Sequence, residues 1–210
     1  MERWFITGTD TGVGKTVVTA CLAAAAPGSV CAVKPIESGV PRGRPHGPDA
    51  VSIANAAGHT PLTKEIFEAP LSPHRAARME GRQVDLREVS RWLAALTADT
   101  VLVEGAGGWR VPWMMELCRA TRGRVIVVAA NRLGVLNHTV LTVEAISRDG
   151  FDVAAVVLNN GVSEADPSRD SNREDLLEIL DVPVLLLGAV DPSDEASLAR
   201  CGRDLWAGLS

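Results

Sequence analysis

Several residue types are rare or missing in this sequence, and each shortage narrows what the protein can be. The 210 residues include no tyrosine, and the four cysteines are scattered with no CxxC spacing. Two of these cysteines sit in apolar stretches, which predicts reduced, partly buried thiols. The longest apolar runs are far shorter than the ~20 residues that a helix needs to cross a bilayer, so we expect no transmembrane segment.

Positive charge is also scarce. The net charge is −5, and lysine and arginine form no cluster in the sequence. A nucleic-acid-binding surface requires such a cluster, so this class of function is disfavoured. The sequence passes from Met1 directly into an apolar stretch at Trp4, and we therefore expect no signal peptide and a cytoplasmic protein. With 46% hydrophobic residues, residues 1–210 suit one compact domain with a substantial core.

Lysine is especially rare. Only three of the 21 basic residues are lysines, at positions 15, 34 and 64, and the other eighteen are arginines. Because arginine is used almost wherever a cation is needed, a retained lysine indicates a position where the planar guanidinium group would not fit. This reasoning marks Lys15 and Lys34 as candidate functional residues.

The most informative stretch is a glycine-rich loop, Gly8-Thr9-Asp10-Thr11-Gly12-Val13-Gly14-Lys15-Thr16. A short apolar segment precedes it, and a run rich in alanine and leucine follows as far as Pro27, so the order is strand, loop, helix. Such a loop directs backbone N–H groups and the positive end of a helix dipole at a phosphate. Lys15 would contact the outer phosphates, and the hydroxyl of Thr16 would bind Mg²⁺.

The spacing departs by one residue from the usual phosphate-binding pattern. That pattern has four residues between its glycines, whereas five separate Gly8 from Gly14 here, giving Gly-x5-Gly-Lys-Thr. The alternative is a glycine-rich turn with an incidental lysine. We favour phosphate binding because a strand and a helix flank the loop on the expected sides.

Strands and helices alternate along the chain. Apolar runs predict strands at residues 4–7, 30–33, 100–103, 124–129, 153–158 and 183–187. Helical patterns predict helices at residues 17–26, 50–57, 73–79, 86–96, 136–148 and 195–209, and residues 37–48 and 58–73 are expected to be irregular. The alternation predicts an α/β fold, P-loop NTPase-like, with a doubly wound, mainly parallel sheet and helices on both faces.

Polar residues follow several predicted strands, at the edge of the sheet where such folds bind ligands. Lys34 follows one strand, Asn159 another, and Glu104 follows a third and precedes three glycines. A carboxylate in that place suits a metal-directing acid, and the alternative is a solvated glutamate before a tight turn. Asp49 lies at the start of a predicted helix, where its alternative role is to cap the helix.

With these residues assembled, the chain resembles the dethiobiotin synthetase family over nearly its whole length. The resemblance rests on residues 8–16, Lys34-Pro35-Ile36-Glu37-Ser38-Gly39, Asp49, Val103-Glu104-Gly105-Ala106-Gly107-Gly108, Leu133-Gly134-Val135-Leu136-Asn137-His138 and Asn159. It implies an enzyme that uses ATP and Mg²⁺ to join 7,8-diaminopelargonic acid and CO₂. In that family one amine forms a carbamate, the carbamate attacks the γ-phosphate of ATP, and the second amine closes the ureido ring.

The resemblance also implies a role for each matching residue. The implied catalytic residues are Lys15, Lys34 and Thr11, and the implied Mg²⁺ ligands are Thr16, Asp49 and Glu104. ATP would be bound by Gly12, Val13, Gly14, Lys15, Thr16, Val17, Asn159 and Asp191. The diamine would be bound by Lys34, Ser38, Gly107 and Gly108, and its carboxylate by Leu136 and Asn137 across the interface of a homodimer. Phosphoryl transfer between two anions needs the positive charge that the lysines and Mg²⁺ would supply, and oxygen ligands suit Mg²⁺.

Asn159 is the candidate for recognising the base of the nucleotide. A carboxamide presents an acceptor beside a donor, which matches the N6 amino group and N7 of adenine. Guanine presents acceptors at both positions, so this pattern predicts a preference for ATP over GTP. The alternative is an asparagine that serves a turn, and which of Asn159 and Asn160 faces the base is left open.

The chain departs from the family pattern in three places. The segment 109–120 is shorter and carries Trp113-Met114-Met115, Ala189-Val190-Asp191 stands where a Glu-Ile-Pro is frequent, and no tyrosine is available to contact the substrate. These differences concern the base pocket and the tail of the diamine site.

Two alternatives remain: a related ATP-dependent amidoligase or synthase, and a partition- or targeting-type ATPase. The latter class carries an extra lysine early in its loop, and residues 7–13 contain none.

Overall fold

The computed structural model describes residues 1–162 and 166–209. The strands are β1 (Glu2–Gly8), β2 (Val30–Val33), β3 (Ile36–Ser38), β4 (Glu65–Phe67), β5 (Thr100–Gly108), β6 (Arg124–Ala130), β7 (Val153–Asn159) and β8 (Val184–Leu187). Six of them form one sheet in the order β2-β5-β1-β6-β7-β8, and all its neighbouring pairs are parallel. The predicted fold class is confirmed.

Helices cover both faces of this sheet. They are α1 (Lys15–Ala25), α2 (Pro48–Ala57), α3 (Pro73–Met79), α4 (Leu86–Ala95), α5 (Met114–Thr121), α6 (Val135–Arg148), α7 (Arg169–Ile179) and α8 (Glu195–Leu209). On one face α1, α2 and α8 share a core with Ile6 and Leu102, and on the other face the remaining helices share a core with Phe5 and Val103. Because successive strand residues point to opposite faces, a strand covered on both sides is apolar throughout.

Helices α1 and α8 make an unusually close contact. Gly202 of α8 lies against the backbone carbonyl of Cys21 in α1, and a Cβ atom at position 202 would overlap that carbonyl. The indole of Trp206 adds a hydrogen bond of 2.9 Å from Nε1 to the carbonyl oxygen of Leu22. The C-terminal half of the helix that follows the glycine loop is therefore held by α8.

Four elements of the structure were not predicted. The strands β3 and β4 form a separate parallel pair within the two segments that were expected to be irregular, and α5 and α7 were not anticipated either. Each strand of the pair has three residues, which is too short to show a periodic pattern. Helix α5 follows Trp113, whose positive φ of 81° is rare for a bulky residue.

The predicted element bounds differ from the observed ones by two residues or fewer, with β5 as the main exception. This strand continues through Glu104 to Gly108, so Glu104 lies inside the strand instead of at its end. Ile6 pairs with Glu104 and Gly8 pairs with Gly108, which requires an irregularity between these pairs. The glycine segment of β5 therefore runs beside the start of the glycine-rich loop.

Two further expectations concern membranes and cysteines. Across residues 1–162 and 166–209, no helix has the length and apolar character needed to span a membrane. All four cysteines are free, with Cys21 and Cys118 buried and Cys31 and Cys201 half-buried. The predicted state of the thiols is confirmed.

Candidate active site

The glycine-rich loop joins β1 to α1 and is shaped by close packing. A Cβ atom at Gly8 would lie 2.8 Å from Cγ2 of Val13 and 3.2 Å from Nζ of Lys15, so only glycine fits there. Gly14 precedes α1 with a φ of 95°, a left-handed conformation that glycine adopts without strain. The loop therefore turns sharply enough to direct the N-terminus of α1 toward a ligand.

Lys15 is the buried cation of this loop. Its Nζ donates to the carbonyl oxygen of Asp10 at 2.9 Å, and it forms no ion pair within the described residues. Burial and the nearby ammonium group of Lys34 together lower the pKa of Lys15 to about 8, although the carboxylates of Glu104, Asp49 and Asp10 oppose the fall. A buried ammonium in such surroundings is stabilised by an added anion, which is what a phosphate provides.

Lys34, directly after β2, bridges the two candidate metal-directing acids. Its Nζ lies 2.5 Å from Oε1 of Glu104 and 3.0 Å from Oδ2 of Asp49, and it donates to the carbonyl oxygen of Gly105 at 3.1 Å. The hydroxyl of Thr16 donates to the same Oε1 of Glu104 at 2.9 Å. Four segments of the chain thus bring their functional groups to one point.

The charges in this cluster stabilise one another. Burial by itself lowers the pKa of Lys34, but Glu104 and Asp49 outweigh burial and raise it above its ordinary value. Burial raises the pKa of Asp49, but Lys34, Thr16 and Lys15 together lower it below its ordinary value. Lys34 therefore remains an ammonium and Asp49 a carboxylate at neutral pH.

The alternative roles of the two acids are not supported by the geometry. Asp49 is the second residue of α2, and Gly47 occupies the capping position. Glu104 is almost fully buried, so it is not a solvated residue before a turn. The Oε2 atom of Glu104 has no hydrogen-bond partner within the described residues. An unpaired buried carboxylate oxygen is costly unless a ligand completes it.

This donor set fits Mg²⁺. The ion is usually held by one or two carboxylates together with phosphate oxygens and water, and Thr16, Asp49 and Glu104 offer a hydroxyl and two carboxylates. The unpaired Oε2 of Glu104 is the specific observation in favour of a cation. Within the described residues, no group of three or more His, Cys, Asp or Glu side chains suits a metal, so a site of protein ligands alone is not indicated.

These residues line one cavity of about 710 Å³ at the carboxyl edge of the sheet. Its walls include every predicted catalytic and metal-directing residue: Thr11, Lys15, Thr16, Lys34, Asp49 and Glu104. Gly12, Gly14, Ser38 and Gly107 of the predicted ligand-binding set also line it. The segment 70–73 and Val111 also line the cavity, and the sequence patterns had not indicated them.

Other predicted site residues lie around this cavity. Gly108 borders an adjoining recess of about 500 Å³, which shares Thr11, Ser72 and Val111 with the main cavity and reaches Leu141 and Thr142 of α6. Leu136 and Asn137 begin α6 and do not line the main cavity of this chain.

Asn159 ends β7 and contacts the phosphate loop. Its Nδ2 donates to the carbonyl oxygen of Val13 at 3.1 Å, and its Oδ1 accepts from the backbone N–H of Gly161 at 2.9 Å. The side chain is buried. One hydrogen and one lone pair of the carboxamide remain for a base, so base recognition stays a prediction alongside this observed contact with the loop.

Two further residues of the predicted nucleotide site, Val17 and Asp191, do not line the main cavity. Val17 lies in the first turn of α1 and packs into the core under α2 and α8. Asp191 lies in the loop after β8, where its Oδ1 accepts from the N–H of Ser193 at 2.9 Å and from its hydroxyl at 2.6 Å. These bonds lower the pKa of Asp191 below its ordinary value.

Glu37 is a charged residue of the cavity wall for which the sequence indicated no role. It lies in β3, is almost fully buried, and accepts hydrogen bonds from the backbone N–H groups of Asp49 at 2.8 Å and Ala50 at 3.2 Å. Burial raises the pKa of Glu37, and these two bonds partly oppose the rise. The only sequence signal was Gly47-Pro48, a helix start without a capping side chain.

Solved structures share this fold at low sequence identity. The septum site-determining protein MinD of Pyrococcus horikoshii OT3, solved with Mg-ADP, superposes with a TM-score of 0.58 at 18% identity, covering 100% of this chain and 98% of that one. The cell division ATPase MinD of Pyrococcus furiosus gives 0.58 at 17% identity over 99% of both chains. The sheet and the Gly-Lys-Thr loop define a P-loop NTPase-like protein.

Comparison with sequence relatives identifies the family of the chain more narrowly than the fold does. A family model described as an AAA domain matches residues 2–199. The ATP-dependent dethiobiotin synthetase BioD of Anaeromyxobacter sp. (strain Fw109-5) is 43% identical over 192 residues, covering 85% of this chain and 86% of its own. The protein of the same name from Saccharopolyspora erythraea is 38% identical, and the match covers 96% of this chain and 95% of the relative. The chain belongs to the ATP-dependent dethiobiotin synthetase family, and it is an enzyme of the ligase class.

Proposed function

We propose that this enzyme uses ATP to convert 7,8-diaminopelargonic acid and CO₂ into dethiobiotin, with release of ADP and phosphate. One amine of the substrate attacks CO₂ and loses a proton to give a carbamate. A carbamate oxygen then attacks the γ-phosphorus as the bond to ADP breaks. Finally, the second amine attacks the carbonyl carbon and loses a proton, and phosphate leaves as the ring closes.

The observation that carries this proposal is the pair of buried lysines in one cavity. Lys15 has no carboxylate partner in residues 1–162 and 166–209, and it lies at the start of α1, where the phosphates of ATP would be held. Lys34 lines the same cavity and is fixed there by Glu104 and Asp49. A carbamate placed between the two ammonium groups approaches the γ-phosphate with its charge offset.

Mg²⁺ would be held by Thr16, Asp49 and Glu104, and it would neutralise charge on the transferring phosphoryl group. Lys34 contacts both carboxylates, so its ammonium group is positioned by the same two side chains that would hold the ion. Thr11 borders the cavity beside Gly107, and we expect its hydroxyl to contact the γ-phosphate or the carbamate that attacks it.

The ribose and base of ATP would extend from the phosphate loop toward the ends of β7 and β8. A separate cavity of about 700 Å³ lies between the start of α2 and the start of α8, lined by Val51, Asn55, Ser193 and Leu198 among others. Asp191 bonds to Ser193 of its wall, and Asn159 ends the neighbouring strand. This placement supports a nucleotide that spans the N-terminus of α1 between the two cavities.

The active unit is proposed to be a homodimer formed through α6. Leu133, which precedes this helix, is 80% exposed and Leu141 within it is 57% exposed. Asn137 lies between them in the chain and is also exposed. Apolar side chains in that position favour a partner surface, and the adjoining recess opens beside Leu141. A cytoplasmic location remains a prediction.

A coupled assay with diaminopelargonate, bicarbonate and Mg-ATP tests the activity. ADP release that requires both the diamine and bicarbonate supports the ligase, and mass spectrometry should identify dethiobiotin as the product. A switch ATPase with the same fold would release ADP without either compound. ATP hydrolysis that neither compound alters would overturn the proposal.

A further inference from the structure

Helix α2 presents Asp49 to the cavity, and the position of its first turn is fixed by a side chain from another element. The carboxylate of Glu37 in β3 accepts the backbone N–H groups of Asp49 and Ala50, at 2.8 Å and 3.2 Å. Gly47 at the capping position has no side chain to do this. Free N–H groups at the start of a helix must be satisfied, and a negative charge there is favourable.

Glu37 and Gly47 also fit one another sterically. A Cβ atom at position 47 would overlap the carboxylate of Glu37, at both oxygens and at Cδ. The carboxylate therefore lies directly on the backbone that leads into α2. Such a close approach fixes the helix start in position as well as in direction, because the glycine cannot move toward Glu37 or Glu37 toward the glycine.

The same contact links two parts of the active site. Ser38 follows Glu37 in β3 and lines the cavity, while Asp49 donates its backbone N–H to Glu37 and pairs with Lys34 through its own side chain at 3.0 Å. A shift of the helix start would move the carboxylate of Asp49 relative to Lys34 and Thr16.

We propose that Glu37 is a positioning residue for the reaction, which acts through the backbone of α2 to hold the carboxylate of Asp49 in place for the metal-bound nucleotide. This role rests on the proposed function of Asp49 in directing Mg²⁺. Residues that orient a metal ligand typically change metal affinity by 10- to 100-fold when they are removed.

The Glu37→Gln variant tests this role with minimal change of shape. Its carboxamide oxygen can accept one of the two N–H groups, while its NH₂ group opposes the other. We expect the Mg²⁺ concentration for half-maximal ADP formation to rise about tenfold. In calorimetry, the Mg²⁺-dependent gain in affinity for a non-hydrolysable ATP analogue should shrink, whereas the affinity measured in EDTA should be unchanged.

Asp85 supplies a matched control, because it caps α4 by accepting the backbone N–H groups of Arg87 at 2.9 Å and Glu88 at 3.3 Å. Asp85→Ala should lower the thermal midpoint and leave the Mg²⁺ requirement unchanged. Gly47→Ala disturbs the same contact from the other side and should raise the Mg²⁺ requirement as Glu37→Gln does. It keeps the test available if Glu37→Gln does not fold.

Asp49→Asn separates this inference from the proposed function. A raised Mg²⁺ requirement in Asp49→Asn, together with none in Glu37→Gln and Gly47→Ala, overturns the positioning role alone. No change in Asp49→Asn overturns the metal role of Asp49 and the positioning role with it. If Glu37 acts through Asp49, adding Glu37→Gln to Asp49→Asn should produce no further rise, and an additive rise contradicts the proposal.

Discussion

The ammonium group of Lys34 lies 2.5 Å from Oε1 of Glu104, and both side chains are almost fully buried. The same oxygen accepts the hydroxyl of Thr16, while the other carboxylate oxygen has no partner within the described residues. One oxygen of Glu104 thus serves the protein's own cation and hydroxyl, and the second remains for a ligand. We therefore expect the reaction to be sensitive to the shape of the cation at position 34 and to the acids that would hold Mg²⁺.

Replacing Lys34 by arginine should lower kcat by at least ~100-fold, the scale of losing one preorganised donor. The ammonium group contacts Glu104, Asp49 and the carbonyl oxygen of Gly105 in a closed space, which the larger planar guanidinium group cannot enter in the same way. Lys15→Arg should have an effect of similar size. Steady-state turnover at saturating ATP measures both.

Lys64→Arg is the matched control for these substitutions. Lys64 does not line the cavity, and its Nζ pairs with Oε1 of Glu88 at a distance of 2.6 Å. The variant should turn over at the wild-type rate. Near-normal kcat in Lys34→Arg would show that the shape of the cation is unimportant at that position.

Asp49→Asn should raise the Mg²⁺ requirement and leave the fold intact. Asparagine keeps the shape of the side chain, and the backbone bond from residue 49 to Glu37 does not involve the side chain of residue 49. A titration of activity against Mg²⁺ measures the shift, and the thermal midpoint checks the fold. Asp170→Asn, an acid in the first turn of α7, serves as the control. Superimposable Mg²⁺ curves for wild type and Asp49→Asn would refute a metal role.

The proposed homodimer predicts complementation between two inactive variants. If Asn137 serves the partner's site, mixing a Lys15 variant with an Asn137 variant should restore part of the activity once subunits exchange, because one site in each mixed dimer carries both residues. Exchange is followed separately by a fluorescence label on each variant. Complete exchange without recovered activity would show that each site is built from one chain.

Asn159 should favour ATP over GTP and support the phosphate loop at the same time. Asn159→Ala should reduce the ratio of kcat/KM for ATP to that for GTP, and it should raise KM for both because the bond to Val13 is lost. The rate at saturation should change little. Asn160→Ala, whose side chain accepts from Asn131 at 2.8 Å, is the control. Equal kcat/KM for ATP and GTP in the wild type would show that no residue reads the base.

Lys15 should take up protons when nucleotide binds. Its pKa of about 8 means that, at pH 8, about half of the molecules carry an uncharged amine, and a bound phosphate stabilises the charged form and raises the pKa. Calorimetry of a Mg²⁺-bound, non-hydrolysable ATP analogue at pH 8 should give different heats in two buffers with unlike ionisation enthalpies. The difference should shrink at pH 7, where Lys15 is mostly charged. Identical heats at pH 8 would contradict the prediction.

The sequence was sufficient for the elements whose pattern is local. The continuous apolar runs of β6 and β7 and the loop ending in Gly14-Lys15-Thr16 predicted the sheet and its binding edge. Elements held mainly by distant contacts were not predictable. The pair β3 and β4 depends on bonds such as that from the N–H of Val40 to the carbonyl of Phe67, and α7 buries only Asn172 and Leu176.

The same distinction applies within the site. Lys34 and Glu104 were predicted because each follows an apolar run of the sequence, and the structure places them in contact. The cap on α2 was not predictable, because Glu37 and Asp49 are twelve residues apart and no periodic pattern connects them. The contact of Asn159 with Val13 was also hidden, since it spans most of the chain. The positions of residues relative to the strands predict which side chains lie at the carboxyl edge of the sheet. They do not predict which hydrogen bonds those side chains form.

The close fit of Gly202 against Cys21 has a consequence for how the protein is made. Of the helices in the described chain, α1 is synthesised first and α8 last. The sheet and α2 cover part of the apolar side of α1 earlier, but the part that faces Leu198 and Leu205 stays uncovered until α8 has been made. A chain without α8 carries the whole glycine loop but lacks the contacts of Gly202 and Trp206 with α1, so we expect it to retain nucleotide less well than the chain with α8.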